Sequence, residues 1–370
     1  MSASSHSRRN WSDLPCDILE VITGRMRWVD RIRIRAVCKA WSLFPSSHIP
    51  PHGDDTLPWV MKFRWSPPNR DSPVHGECLL LDPISGDYVV EEDINCHIFF
   101  DAIPCASSYG WVLFFGTRRR FFLYSPFTTE VLLLPEFGQH LSLTYNIPVA
   151  TFSLNATSPK CVIFVLSYKD GKIHVMLCSP GDSSWKTYEF DGFGPDDFPV
   201  DATYANGVYY CVFRRGQLGA FNLQHKEWTL LVEHNLPRFY FPFAKLFWSG
   251  AHLQLLSCSR HSNLVKLDLS NKRWVLDKDL NGRVLFIGCT SFSVPAAGET
   301  SQLANVIISS TAFRVHPALR WYGCKLPSRP PLIYRYVAYK DIRGEDSEGR
   351  IWIEVPLGGI WRANDLIHTV

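Results

Sequence analysis

Paired cysteines are missing from this sequence: its eleven cysteines are odd in number, scattered, and never spaced Cys-x-x-Cys. That argues against a disulfide framework or a zinc ribbon and predicts reduced, mostly buried thiols. Long apolar runs are missing too, since none approaches the ~18 residues of a membrane span. Met1 to Asn10 are polar and basic where a signal peptide needs an apolar stretch. The expectation is therefore a chain of the cytoplasm, the nucleus or both, with no membrane partner. In that setting the sequons Asn10-Trp11-Ser12 and Asn155-Ala156-Thr157 have no chemical meaning. An excess of one charge is lacking as well: 38 basic against 35 acidic residues leave +3. So even a balance singles out neither nucleic acid nor an anionic surface as partner.

Catalytic signatures are equally scarce. There is no Gly-x-Ser-x-Gly, no His-Glu-x-x-His and no phosphate-binding glycine loop, and the thirteen histidines show no ligand spacing. The chain is expected to have no catalytic residue, no metal and no cofactor. The acids Glu91-Glu92-Asp93 and Asp196-Asp197 read as solvated turns rather than a general acid/base pair. What the sequence does have is an apolar content of 46%, that of a packed protein, over 370 residues.

Two periodicities divide those residues. Leu14, Ile18, Ile22 and Met26 recur at helical spacing, with Leu19 widening the stripe. Pro15 suits the first helical turn, and Gly24 is a stop signal. A second helix is predicted over 29–41, with Ile32, Ala36, Val37, Ala40 and Trp41 on one side and Arg31, Arg35 and Lys39 largely on the other. Helical modules below ~40 residues seldom bury enough surface to stand alone, so a partner is expected to complete this one. The Pro-, Ser- and Asp-rich residues 46–57 read as a linker.

Beyond it the pattern turns to short apolar or alternating runs broken by Gly, Asn, Asp and Pro, the mark of many antiparallel strands. Asn206-Gly207 between 200–204 and 208–213, and Asp170-Gly171 between 161–168 and 172–177, are the clearest hairpins. One unit recurs. An apolar strand meets a small polar residue, and a large apolar residue six positions on begins the next strand. It occurs at Asp82 to Tyr88, Ser125 to Val131, Ser179 to Trp185, Asn222 to Trp228 and Asp268 to Trp274. The turn residues lie about 43, 54, 43 and 46 positions apart, a period that averages within the ~40–50 residue range of four-stranded propeller blades. Gly110, Gly207 and Gly250 mark an earlier turn of the same units. A final unit is predicted over 332–353, with strands 333–339 and 350–355, while 288–320 is poorly patterned. The fold class is mainly β: a small helical module, then a propeller of five or six visible units. An irregular β-sandwich is the alternative. Trp185, Trp228 and Trp274 read as inter-blade core rather than stacking platforms.

The segment Leu14-Pro15-Cys16-Asp17-Ile18-Leu19-Glu20-Val21-Ile22, with Asp30-Arg31-Ile32-Arg33-Ile34-Arg35-Ala36-Val37-Cys38-Lys39-Ala40-Trp41, resembles the F-box. Departures are Met26, where the family usually has Leu, and Gly24-Arg25 near the helix end. The resemblance implies docking to a Skp-type adaptor, and through it a cullin scaffold, by Leu14, Pro15, Ile18, Leu19, Ile22, Val37, Cys38 and Trp41. The remainder is similar to plant F-box proteins with a kelch-like C-terminal propeller, through Pro58-Trp59-Val60-Met61, Tyr109-Gly110-Trp111, Ser125-Pro126-Phe127-Thr128, Asn206-Gly207, Gly216-Gln217-Leu218-Gly219 and Lys266-Leu267-Asp268. The domain reading is a disordered 1–10, an F-box at 11–45, a linker at 46–57, a propeller at 58–356 and a tail at 357–370. The function implied is a non-catalytic substrate receptor of a ubiquitin ligase, its client an unknown protein. A non-ligase scaffold or inhibitor is the alternative. For the client, Arg118, Arg119 and Arg120 in a turn between strands form a candidate site, their basic side chains suiting an acidic or phosphorylated segment.

Overall fold

A computed structural model describes residues 12, 14–25, 41, 58–66, 75–81, 88–92, 96–99, 102–116, 119–137, 149–194, 197–233, 236–237, 239–257, 263–277, 280–296, 301, 303–309 and 347–354. Leu57–Val355 form one compact unit; Met1–Thr56 and Pro356–Val370 make up the other.

In the smaller unit, helix α1 spans Cys16–Arg25. Pro15 stands just before it, where no helical N–H is required, and its carbonyl accepts the N–H groups of Ile18 and Leu19, each at 3.1 Å. Asp17 lies in the first turn, favourable for the helix dipole. The helix runs through Gly24, the predicted stop, at an intrinsic cost of roughly 1 kcal/mol relative to alanine. The second predicted helix lies outside the described residues except Trp41, which is buried. The tails 1–10 and 357–370 and all of the linker 46–57 lie outside them too.

The larger unit is a β-propeller, its described residues forming five four-stranded sheets and a three-stranded one. Blade 1 contains β1 (Trp59–Ser66), β2 (His75–Leu81) and β3 (Tyr88–Glu92). After the short helix α2 (Cys96–Phe99), blade 2 runs β4 (Ile103–Ser108), β5 (Trp111–Gly116), β6 (Arg120–Ser125) and β7 (Glu130–Glu136). Blade 3 is β8 (Val149–Phe152), β9 (Ile163–Lys169), β10 (Lys172–Cys178) and β11 (Lys186–Asp191). Blade 4 is β12 (Pro199–Ala205), β13 (Val208–Phe213), β14 (Leu218–Asn222) and β15 (Glu227–Val232). Blade 5 is β16 (Ala244–Ser249), β17 (His252–Ser257), β18 (Leu264–Asp268) and β19 (Arg273–Leu276).

Successive blades meet through their first strands, β4 with β8, β8 with β12 and β12 with β16. In the smaller sheet β20 (Arg283–Ile287) pairs antiparallel with β21 (Phe292–Pro295) and parallel with β22 (Ile307–Ser309), an irregularity matching the weak pattern of 288–320. The last strand, β23 (Ser347–Ile353), does not build a separate final unit as predicted. It pairs antiparallel with β1, from Trp59 opposite Ile353 to Trp65 opposite Ser347, and completes blade 1 next to β4. Pairing the first and last described strands of the larger unit covers a strand edge that would otherwise be left open. The strand predicted at 333–339 lies outside the described residues.

Local turn chemistry follows the sequence closely. Asn206 and Gly207 have φ of 51° and 84°, and Asp170 and Gly171 have 53° and 78°, the positive pair that a type I′ turn needs. At two recurring turns the polar residue bonds the backbone two and three residues on. Asn222 Oδ1 accepts the N–H groups of Gln224 (2.9 Å) and His225 (3.0 Å), and Asp268 Oδ1 those of Ser270 and Asn271 (both 3.1 Å). At Ser179 the roles reverse: its own N–H donates to Asp182 Oδ2 at 2.9 Å.

The tryptophans that follow the turns at Ser179, Asn222 and Asp268 pack between blades. Trp185 of blade 3 packs on Phe121 and Phe137 and donates through Nε1 to the Pro135 carbonyl of blade 2 at 3.0 Å. Trp274 of blade 5 donates to the Gly216 carbonyl of blade 4 at 3.1 Å. Trp228 stacks on Phe190 of blade 3, and no partner meets its buried Nε1 among the described residues. Within blade 2, α2 inserts the fully buried Phe99 among Phe114, Phe122 and Tyr124, with centroids 5.0–5.5 Å apart and edge-to-face geometry.

Buried polar groups stitch the sheets where they converge. Asp201 accepts the Leu246 N–H at 2.8 Å, Ser107 N–H donates to Thr290 Oγ1 at 2.8 Å, and the Ser249 and Ser293 hydroxyls lie 2.9 Å apart. Two acidic runs depart from the solvated-turn expectation. Glu91 and Glu92 lie in β3, opposite Cys78 and Glu77, because the strand continues through them to its pairing limit. Asp197 is fully buried. None of Cys78, Cys105, Cys161, Cys178, Cys211 and Cys289 is in a disulfide, and Cys78, Cys161, Cys178 and Cys211 are buried. Asn155 of the second sequon is buried, its Oδ1 accepting the Thr157 N–H at 3.0 Å.

Candidate functional site

Two surfaces merit consideration, one in each unit. Just before α1, Pro15 is exposed and Leu14 half-buried, and within the helix Ile22 is half-buried. Ile18 is 43% exposed and Val21 56%, three positions apart and so on neighbouring faces of the helix. Leu19 and Trp41, also placed in the adaptor-facing set, are buried at 4% and 7%. Among the described residues of this module, Pro15, Ile18 and Val21 are the exposed apolar groups. Val21 was not singled out from the sequence, because it falls off the stripe of Leu14, Ile18 and Ile22. Val37 and Cys38 lie outside the described residues.

On the propeller, Arg119 and Arg120 sit at the β5–β6 turn, while Arg118 lies outside the described residues. Arg119 adopts φ 56° and its carbonyl accepts the Phe137 N–H at 3.2 Å, so its backbone anchors the turn. Arg120 Nη2 is paired with Glu136 at 2.9 Å, across side chains 43% and 70% exposed. One of the predicted client-facing charges is thus already answered within the blade.

A denser candidate lies in two loops that the sequence reading did not identify as a site. The first joins β13 to β14 and carries the exposed Arg214 and Arg215. The second joins β15 to β16 and contains Phe239-Tyr240-Phe241-Pro242-Phe243. Meander topology places second-to-third-strand turns and blade-to-blade connections at the same end of the strands, so these loops share one propeller face with the Arg119 turn. Phe241 binds the loops together: Gly216 has φ 93°, and a Cβ there would stand 2.6 Å from Phe241 Cζ. Only glycine permits both that backbone and that approach. Phe239 and Phe241 are turned into the core at a centroid separation of 4.6 Å, while the other two rings of the run face solvent. Tyr240 is 45% and Phe243 57% exposed, their rings 5.9 Å apart.

Below the first loop, Asp197 accepts the Arg215 N–H at 3.3 Å and a bond from Gln217 Nε2. Burial pushes its carboxyl above the usual range, opposed by those bonds and by the nearby arginines. Arg214 donates its N–H to the Phe198 carbonyl at 3.0 Å and lays its guanidinium 5.0 Å from the centre of the Phe198 ring. The signal that could have revealed the site is four aromatics within five residues, more than one short loop can bury. Among the described residues, no three His, Cys, Asp or Glu side chains converge as a metal site.

Sequence comparison places these loops in a wider group. The KIB1-4 beta-propeller family model matches residues 90–308. The chain is similar to an F-box/kelch-repeat protein of Arabidopsis thaliana, 25% identical across 62% of this chain and 61% of the relative. An F-box protein of that plant is 27% identical across 75% of this chain and 72% of its own. A further F-box/kelch-repeat protein from it is 23% identical across 86% and 85%. The chain thus spans about three fifths of the first relative and more of the other two.

Proposed function

The chain belongs to the KIB1-4 beta-propeller family, and on that premise we propose that it is the substrate-recognition subunit of a Skp-cullin-F-box ubiquitin ligase. The N-terminal module docks a Skp-type adaptor, which links it to a cullin scaffold, and the propeller holds the protein to be ubiquitylated. The observation that carries this reading is α1. A helix whose sequence resembles the start of an F-box presents Pro15, Ile18 and Val21 to solvent, ahead of a propeller whose relatives are F-box proteins. Exposed apolar side chains on so small a helical module favour a partner that covers them.

In this role the chain contributes no reactive group. Holding a client lysine near a charged conjugating enzyme raises its effective concentration, and that proximity is the whole catalytic contribution. Such a receptor works in the cytoplasm or the nucleus.

The test is calorimetric titration of purified Skp-type adaptor into the full chain, into a Leu14→Ala, Pro15→Ala double variant and into Ile18→Asp. Binding by the wild type that both variants lose supports the receptor reading. A folded wild-type chain that does not bind would overturn it and leave a propeller acting as a scaffold.

A further inference from the structure

The receptor reading names no client chemistry, but the face carrying Arg214, Arg215, Tyr240 and Phe243 restricts it. We propose that this face receives an extended acidic segment of the client, its Asp or Glu carboxylates on Arg214 and Arg215 and a neighbouring apolar side chain against Tyr240 and Phe243. The inference rests on the receptor reading for calling its ligand a client; the surface itself does not depend on adaptor docking.

Three observations carry it. Arg214 is exposed, and among the described residues its guanidinium is in no ion pair, resting instead on Phe198. An arginine braced on a ring loses less freedom on meeting a carboxylate than one on a mobile stem, and its planar fork suits two oxygens. Two acids of this site belong to the described residues, Asp197 beneath the first loop and Glu233 at the start of the second. Asp197 is buried and already accepts bonds from Arg215 N–H and Gln217, and Glu233 is the exposed carboxylate where β15 ends.

The second observation is the exposure of two adjoining aromatics on a loop whose other aromatics are locked into the core. Tyrosine and phenylalanine presented this way offer a large contact area at small entropic cost. The third is rigidity. Gly216 stacks on Phe241, the Gly216 carbonyl accepts Trp274 Nε1 at 3.1 Å, and Ser257 Oγ donates to the Tyr240 carbonyl at 3.0 Å. Both loops are thereby pinned to blade 5, so the basic and aromatic groups are held ready for a ligand. Arg120 of the Arg119 turn, unlike Arg214, is in an ion pair, with Glu136.

The experiment is fluorescence anisotropy of the full chain with a labelled peptide bearing consecutive glutamates beside a leucine. Controls are the same peptide with glutamines, and one with phosphoserines in place of the glutamates. Expected are binding of the glutamate peptide that weakens as salt rises, at least tenfold weaker binding by Arg214→Ala, Arg215→Ala and by Tyr240→Ala, Phe243→Ala, and no change in Arg119→Ala, Arg120→Ala. An Arg214→Lys, Arg215→Lys variant, which keeps charge but loses the fork, is expected to fall between. No binding by the folded wild type, equal binding by all variants, or a preference for the glutamine or the phosphoserine peptide would overturn the proposal. Adaptor titration of the same preparations separates the two readings: peptide binding without adaptor binding removes the receptor role alone, and the reverse removes the acidic-segment proposal alone.

Discussion

The carboxylate of Glu354 accepts the backbone N–H of Tyr109 at 2.9 Å, across 245 positions of sequence. The same oxygen accepts Ser108 Oγ at 2.9 Å. Glu354 follows β23, and Tyr109 opens the first turn of blade 2 with φ 53°, a backbone that a bulky residue seldom adopts. A single carboxylate thus ties the closing strand of blade 1 to the next blade.

Because burial pushes the Glu354 carboxyl up, against the hydrogen bonds from Tyr109 and Ser108, its contribution depends on pH. The folded chain keeps the proton over an interval in which the unfolded chain has lost it. Stability from this group is therefore greatest below the ordinary glutamate value of 4.5 and is lost as pH rises through the raised folded value. Glu354→Gln keeps an acceptor and does not titrate. Its melting temperature is expected to gain on the wild type between acid and neutral pH, and a difference that stays flat with pH would refute the linkage. Glu354→Ala leaves two donors unanswered and is expected to cost about 1–3 kcal/mol.

The matched tryptophans separate hydrogen bonding from packing. Trp274→Phe strands the Gly216 carbonyl, a loss of about 1–3 kcal/mol besides the lost volume. Trp228→Phe removes an Nε1 that has no partner among the described residues, so it is expected to cost less. Denaturant unfolding of both variants checks the order.

Gly219 lies against the Trp228 ring, where an added Cβ would overlap Cζ2. Gly219→Ala is expected to destabilise by at least the ~1–3 kcal/mol typical of overpacking. Pairing it with Trp228→Ala should recover part of that loss, since the clash disappears. Thermal melts of the single and double variants decide this, and strict additivity would count against the contact.

Arg120→Ala breaks a pair whose side chains are both well exposed, a kind of contact worth roughly 0–1 kcal/mol. A small change in stability that fades at high salt is expected. In a client pulldown, the triple alanine change of Arg118, Arg119 and Arg120 distinguishes a recognition turn from an ordinary basic one, since unaltered capture rules out the former.

Local geometry is legible in the order of the residues. Asn206-Gly207 and Asp170-Gly171 turn where the predicted hairpins turn, and Ser or Asx followed by Trp marks the outer hairpins of blades 3, 4 and 5, because such turns are decided by a few consecutive φ angles and side-chain bonds. That order also implied that Trp185 and Trp274 belong between blades, since their spacing repeats with the blade. Only the tertiary structure decided what depends on partners far apart in the chain: that β23 completes blade 1 beside β1, that Asp197 is buried under Arg215 and Gln217, and that Tyr240 and Phe243 are the aromatics of their run left exposed. Periodicity reports which residues are apolar and how they alternate. Which edge a strand covers, and which ring finds room in the core, depend on surfaces brought together by the closing of the ring.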